Sequence, residues 1–259
     1  MITKEELYKI EELQPYYNYF WEEESIGCSN EVVFKLSKDN EILFLKAGRA
    51  GALINEYLNL VNLKGVLNVP DVVFYYKKDI EIIITTKMEG QMSCDDYYLD
   101  EKEITLKVLC DAIRQIQSVH LDDMLLKKFR VYTIEEDLAK INARVNRGEL
   151  QRLPENAVFK RFQSILEVLD YLNLKKPSGE LYLSHGDVSM PNVFIIGDRL
   201  SGFIDVGNAG IRQKWFDIAD AYISVRRNFE SQEVADEFLK MLGVDKTSVE
   251  YYEMITYLL

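Results

Sequence analysis

Histidine, cysteine and long apolar runs are scarce in this chain. Its 259 residues include two histidines and three cysteines. No window reaches the roughly 18 consecutive apolar residues that a transmembrane helix needs. The N-terminal segment is charged and amphipathic and lacks the apolar core of a signal peptide. We therefore expect a cytoplasmic protein with no membrane partner.

The cysteines and the charge balance exclude further classes. Cys28, Cys94 and Cys110 are odd in number and widely spaced, so they predict reduced thiols and neither a metal site nor a disulfide framework. Acids outnumber bases by 43 to 31, for a net charge of −12. This argues against nucleic acid as a partner, because binding its backbone relies on clustered Lys and Arg. The charge is compatible with a cationic substrate, and equally with simple solubility.

The first third of the chain reads as a small, mostly antiparallel sheet with one inserted helix. Alternating apolar residues predict strands, and the helical spacing of Leu53, Tyr57, Leu60 and Leu63 predicts the inserted helix. The predicted elements are a helix at 3–13, strands at 31–37 and 42–47, a helix at 52–64, and strands at 72–77 and 80–86.

After a connector near 87–93 the composition becomes helical. Helices are predicted at 101–120, 134–147, 156–172, 215–229, 231–242 and 246–258. The expected fold class is therefore α+β with two lobes. We assign 1–88 to an N-terminal lobe and 89–259 to a C-terminal lobe.

One stretch, 183–221, carries the chemistry. Short strands at 193–196 and 202–204 separate polar turns, and these turns contain Asp187, Asn192 and Asp205. An acid, an Asn five residues later and a second acid after a hairpin match the spacing of a phosphoryl-transfer site. In such a site one Asp handles the acceptor hydroxyl, while the Asn and the other Asp hold magnesium. Each residue alone could equally be a turn former or a strand-end cap.

Two further positions fit a nucleotide site. Lys46 ends an apolar strand from which it could reach phosphates, and Glu56 on the next helix is the obvious partner for it. The alternative is an edge lysine extending into solvent. Phe44 is either core or an aromatic wall against the base. Ser29 lies in a turn that could cover phosphates, although the turn matches neither glycine-rich motif.

At these residues the chain resembles the aminoglycoside phosphotransferases, particularly the 3′-O-phosphotransferase type, which have a protein-kinase-like fold. The resemblance covers nearly the whole chain and is carried by the segments LFLK, NVPDV, ITTKMEG, SHGDVSMPN, GFIDVG, KWFDIA and YYEMITYLL.

The resemblance implies that 1–88 is a nucleotide-binding lobe and 89–259 a catalytic and substrate-binding lobe, with nucleotide in the cleft between them. It also assigns a role to each matching position. It implies Asp187 as catalytic base, Asn192 and Asp205 as magnesium ligands, and Lys46, oriented by Glu56, for the phosphates. It implies ATP or GTP as the donor. Nucleotide contacts are implied for Ser29 in the phosphate-covering loop, Phe44 stacked on the base, and the backbone of Thr86 and Met88. Asp187, Asn208 and the C-terminal Leu259 are the implied contacts to a cationic aminoglycoside.

The expected activity is therefore transfer of a γ-phosphoryl group to an aminoglycoside hydroxyl by a monomer or weak dimer. Gly186 stands where protein kinases have the Arg that reads activation-loop phosphate, which predicts a constitutively ready enzyme. Asn208 and Gln213 replace an Arg and an acid common in the family, and the loop between Arg144 and Arg161 is less acidic. Two alternatives stay open: a kinase of another small hydroxylated metabolite, and a weakly active nucleotide-binding module.

Overall fold

The structure, a computed structural model, describes residues 2–24 and 31–259. The chain forms two compact units, Met1–Gly90 with Ser201–Asn208 and Gln91–Leu200 with Ala209–Leu259. The predicted lobes differ from this division, because residues 201–208 belong to the first unit and not to the C-terminal one. Within the described residues no helix is long and apolar enough to cross a membrane.

The first unit is built on a five-stranded antiparallel sheet with strand order β1-β2-β3-β5-β4. Its elements are α1 (Lys4–Leu7), β1 (Phe20–Glu24), β2 (Val32–Lys38), β3 (Glu41–Arg49), α2 (Ile54–Leu63), β4 (Val72–Lys77) and β5 (Ile80–Thr86).

Two features at the start of this unit differ from the sequence prediction. The predicted helix at 3–13 is only the single turn of α1, followed by a 3-10 segment at Glu11–Tyr16 that contains Pro15. Strand β1 was not predicted, because three consecutive glutamates follow Phe20 and Trp21 and hide the alternation. Only Trp21 of this strand is buried.

Strand β3 separates the core from the functional face of the sheet. Leu43, Leu45 and Ala47 are buried, and they pack with residues of β2, β5 and α1. Phe44 and Lys46 alternate with them and are only half-buried. Because successive side chains of a strand point to opposite faces, Phe44 and Lys46 lie on the same side of the sheet.

Hydrogen bonds from three side chains fix α2 and the segment 201–208 within this unit. The fully buried Glu81 accepts from the backbone N–H of Leu53 at 2.7 Å, at the start of α2. Asn59 Nδ2 donates to the carbonyl of Val206 at 2.8 Å. The Asn68 side chain donates to the Ser201 carbonyl at 2.6 Å. These bonds explain why 201–208 groups with a sheet far away in sequence.

The second unit is mostly helical. Its elements are β6 (Gln91–Met92), α3 (Asp96–Asp100), α4 (Lys102–Ser118), α5 (Asp123–Lys128), α6 (Ile134–Asn146), α7 (Ile165–Leu174), β7 (Leu181–Ser184), β8 (Val193–Ile196), β9 (Arg199–Phe203), β10 (Gly210–Gln213), α8 (Trp215–Asn228), α9 (Gln232–Leu242) and α10 (Lys246–Leu258). Strand β9 begins in this unit, and its last residues belong to the first unit. Strand β7 pairs antiparallel with β10, and β8 lies between β6 and β9.

Five of the six predicted helices of this region correspond to α4, α6, α8, α9 and α10 within two residues at each end. The predicted helix at 156–172 is instead a 3-10 turn at Ala157–Phe159 followed by α7. The short elements α3, α5, β6 and β10 were not predicted, since they are too short to show a period.

Candidate active site

Lys46 lies between two carboxylates in the first unit. Its Nζ is 2.8 Å from Glu56 Oε2 and 2.9 Å from Asp205 Oδ1. The Lys46 and Glu56 side chains are mostly buried, whereas 47% of the Asp205 side chain is exposed. The structure thus brings three of the predicted site residues together, from β3, α2 and the turn after β9.

The position of Asp205 depends on its neighbours. Asn59, one turn after Glu56 on α2, bonds the carbonyls of Val206 and Gly207 and so holds the turn beside Glu56. Asp205 itself has φ of 57°. The left-handed region is uncommon for a non-glycine residue, and Asp is among the residues that tolerate it.

The charges in this cluster act on one another. Burial lowers the pKa of Lys46, but the carboxylates of Glu56 and Asp205 together outweigh it and raise the pKa above its ordinary value. Burial raises the pKa of Glu56 in spite of Lys46, and the second carboxylate of Asp205 adds to that rise. Lys46 therefore stays positively charged.

Asp187 lies in the second unit, in a loop that a buried carboxylate holds in place. Asp217 on α8 is 2% exposed and accepts from Ser184 Oγ at 2.7 Å, from the His185 N–H at 3.0 Å and from the Gly186 N–H at 3.1 Å. Burial raises the pKa of Asp217, while these hydrogen bonds oppose the rise. The buried His185 accepts from the Asp187 N–H through Nδ1 at 3.3 Å. These bonds fix the backbone of the loop at His185, Gly186 and Asp187.

The backbone conformation explains why residue 186 is a glycine. Its φ is 80°, a left-handed value that glycine adopts without steric cost. Its N–H also donates to Asp217, so this conformation aims the amide at the buried carboxylate. A side chain at this position would strain the loop that carries Asp187.

Asn192 closes the same loop. Its Nδ2 donates to the Asp187 carbonyl and to Ser189 Oγ, both at 3.1 Å. Because the amide nitrogen is used internally, Oδ1 is the atom left to face a cation. An amide oxygen and a carboxylate such as that of Asp205 are hard donors that suit magnesium, which takes only one or two protein ligands. No group of three or more His, Cys, Asp or Glu residues that could hold a metal occurs in the described ranges.

The predicted base-binding residues all lie in the first unit. Phe44 shares a face of β3 with Lys46. The Thr86 N–H donates to the Asp71 carbonyl at 3.0 Å, so a backbone bond from Thr86 to a base would have to use its carbonyl oxygen. Met88 is buried, and its sulfur lies 3.8 Å from Asn68 Nδ2. Ser29 falls in 25–30, outside the described residues.

The two predicted acceptor contacts other than Asp187 belong to different units. Asn208 is an exposed residue of the first unit. Leu259 ends the second unit directly after α10, where the carbonyl of Leu258 accepts from the Arg144 guanidinium at 2.9 Å. The structure does not group Asn208 and Leu259 within one unit.

Sequence reasoning missed the supporting residues. Asp217 and Asp220 were read only as parts of a helix, and Asn59 received no role. The available signal was an acid among apolar residues, in WFDIADA, because a charged residue on the buried side of a helix needs partners. Which donors would meet it was not readable from the sequence.

Comparisons with known proteins agree with this arrangement. A model of the phosphotransferase enzyme family matches residues 25–252. An aminoglycoside 3′-phosphotransferase of Enterococcus faecalis is 28% identical over 244 residues, covering 88% of this chain and 89% of that protein. One from Campylobacter jejuni is 25% identical over 248 residues, covering 89% and 93%.

Solved structures show the same fold. A crystal structure of an aminoglycoside 3′-phosphotransferase of type VIII superposes with a TM-score of 0.75 at 22% identity, covering 95% of both chains. An aminoglycoside phosphotransferase from Streptomyces rimosus, in complex with ADP and streptomycin, superposes with a TM-score of 0.68 at 19% identity, covering 92% of both. The predicted α+β, protein-kinase-like fold and the resemblance are thereby confirmed. The chain belongs to the phosphotransferase enzyme family.

Proposed function

We propose that this chain transfers the γ-phosphoryl group of ATP or GTP to a hydroxyl, the 3′ hydroxyl, of an aminoglycoside antibiotic and so confers resistance. The names of the relatives support the acceptor, and the complexes of related proteins with ADP support the donor. The single observation that carries the proposal is the loop in which Asp187 and Asn192 are held together, with Asp217 as its buried anchor. We also propose a cytoplasmic site of action, where nucleoside triphosphates are available.

In this proposal the Lys46 cluster binds the donor. Lys46, held by Glu56, contacts the α- and β-phosphates, and Phe44 on the same face of β3 packs against the purine. The backbones of Thr86 and Met88 contact its edge, and Ser29 covers the phosphates. Asn192 and Asp205 are the residues that would hold Mg²⁺, which when bound neutralises phosphate charge.

Asp187 acts on the acceptor. Its carboxylate receives a hydrogen bond from the acceptor hydroxyl and aligns that oxygen with the γ-phosphorus. It takes the proton as the new P–O bond forms and the bond from the γ-phosphorus to the departing nucleoside diphosphate breaks. The loop that carries Asp187 is fixed before substrate arrives, so orientation requires little rearrangement during the reaction.

Coupled ADP release with kanamycin or neomycin as acceptor tests the proposal. Drug-stimulated release should occur in the parent, and Asp187→Ala should lower turnover by about 100-fold or more while nucleotide binding stays intact. Asp205→Ala should instead weaken magnesium-dependent nucleotide binding. Asp198→Ala, at an exposed turn residue, is the matched control and should change neither quantity. Unchanged turnover in Asp187→Ala would refute the assignment.

The pairing of acids with arginines in the second unit favours a second class of acceptor. In the second unit, Glu149 is paired with Arg144 at 3.1 Å and with Arg147 at 2.5 Å, and Glu253 is paired with Arg226 at 2.7 Å. These acids are neutralised within the protein and offer less negative charge to a cationic drug. ADP release stimulated by an amino alcohol or sugar, and not by aminoglycosides, would identify this alternative. Tight nucleotide binding without stimulated release would instead identify a nucleotide-binding module.

A further inference from the structure

The segment 184–192, which carries Asp187 and Asn192, is called the catalytic loop below. One face of α8 runs along this loop and presents three polar side chains to it. Asp217, Asp220 and Ser224 are spaced three and four residues apart, so they share one face of the helix. Asp217 bonds the loop at residues 184–186, and Ser224 Oγ accepts from the Met190 N–H at 2.9 Å. Asp220 lies between these two contacts, where the loop carries Asp187 and Val188.

The Asp220 carboxyl is a neighbour of the Asp187 side chain. The carboxyl of Asp187 and the backbone of Val188 are among the groups that act on its charge. Among the described residues, no hydrogen-bond donor meets its Oδ2, although that atom is buried. Two ionised carboxylates have only acceptor atoms, so they cannot form a hydrogen bond with each other. A proton on one of them resolves both observations.

The surroundings decide which acid keeps that proton. Burial raises the pKa of Asp220 well above its ordinary value, and the charges of Asp187 and Asp217 raise it further. The Val188 amide opposes this rise only in part. Asp220 is therefore the acid that carries the proton.

We propose that Asp220 is a positioning residue for the transfer reaction: as a neutral carboxylic acid it donates a hydrogen bond to Asp187 and fixes the orientation of that carboxylate. The inference rests on the proposed role of Asp187 as the base. Asp220 does not touch the acceptor and does not lose its proton in the reaction, since the proton of the acceptor hydroxyl goes to Asp187. A hydrogen bond from a neutral donor orients Asp187 without the full positive charge that a lysine or arginine would place beside it.

Two substitutions at Asp220 separate hydrogen bonding from packing. Asp220→Leu removes the donor, and turnover should fall by about 10- to 100-fold, the usual effect of losing one hydrogen bond to a charged group. The KM for nucleotide should stay within about 2-fold, because the residues proposed to bind the donor include neither Asp187 nor Asp220. Asp220→Asn keeps an N–H donor and should recover most of the lost turnover. Equal losses in both variants, or no loss in Asp220→Leu, would overturn the proposal.

Infrared spectroscopy tests the protonated acid without relying on turnover. The parent at neutral pH should show a carboxylic C=O stretch that Asp220→Asn lacks, whereas the exposed Asp198→Asn should leave this band in place. Absence of a band difference for Asp220→Asn overturns the proposal even if the enzyme is active. If the band is lost as expected but no acceptor stimulates ADP release, the hydrogen bond is supported and it is the proposed function that fails.

Discussion

The anchor at Asp217 gives the sharpest prediction about the catalytic loop. Asp217→Asn is nearly isosteric, yet an amide has one acceptor oxygen where the carboxylate has two. If the amide oxygen serves Ser184 and Gly186, as Oδ1 does now, the Asn NH₂ group faces the His185 N–H in a buried place. One hydrogen bond to a charged group is lost. The Asn NH₂ group and the His185 N–H, which are both donors, then face each other with no acceptor between them.

The cost follows from those losses. A hydrogen bond to a charged group contributes about 1.5–3 kcal/mol, and a buried unsatisfied group costs about 1–3 kcal/mol. We therefore expect the free energy of unfolding of Asp217→Asn to fall by about 3 kcal/mol, which lowers Tm by roughly 6–12 °C for a chain of this size. Turnover should fall by about 10- to 100-fold, because the backbone immediately before Asp187 loses a fixed contact.

Thermal unfolding followed by circular dichroism, together with coupled ADP release, measures both effects. Ser184→Ala is the graded comparison, because it removes one bond and leaves both amide donors paired; it should cost about 1.5 kcal/mol, the low end of the range for a bond to a charged group. Asp198→Asn is the surface control and should change nothing. If Tm for Asp217→Asn stays within about 2 °C of the parent and turnover is unchanged, the loop is held by something other than this carboxylate.

Three further predictions concern other parts of the chain. Gly202→Ala should destabilise the first unit by about 1–3 kcal/mol in urea unfolding, because the new Cβ would overlap the Asn68 carbonyl oxygen. Gly197→Ala, which has open space around it but a φ of 63°, should lose only about 1 kcal/mol. Asp137→Ala should cost about 3–5 kcal/mol in the same assay, since it leaves the buried Arg212 guanidinium without its partner at 3.1 Å. Burial raises the pKa of Cys110 to about 11, so its thiol stays protonated at pH 8, and mass spectrometry should find it unalkylated by iodoacetamide in the native protein and alkylated after unfolding.

Helices and strands were predictable where the periodic spacing of apolar residues extends over enough residues to be recognised. Strands β4 and β5 have the predicted ends at 72–77 and 80–86, and the long amphipathic helices were placed within two residues. Strand β1 and the short elements of the second unit failed this test, because a charged edge strand or a two-residue pairing has no period of its own. Their existence depends on a partner strand or neighbouring segment from elsewhere in the chain.

The sequence by itself determined which residues the proposal uses: the spacing of Asp187, Asn192 and Asp205, and the pairing of Lys46 with Glu56, were readable from local patterns. Only the tertiary structure decided how that chemistry is held. Asn59 holds the turn after Asp205, and α8 brings Asp217 and Asp220 against a loop about thirty residues earlier in the chain. The reason is physical, since a buried carboxylate is tolerated only with partners that offset its desolvation, and those partners come from residues distant in sequence.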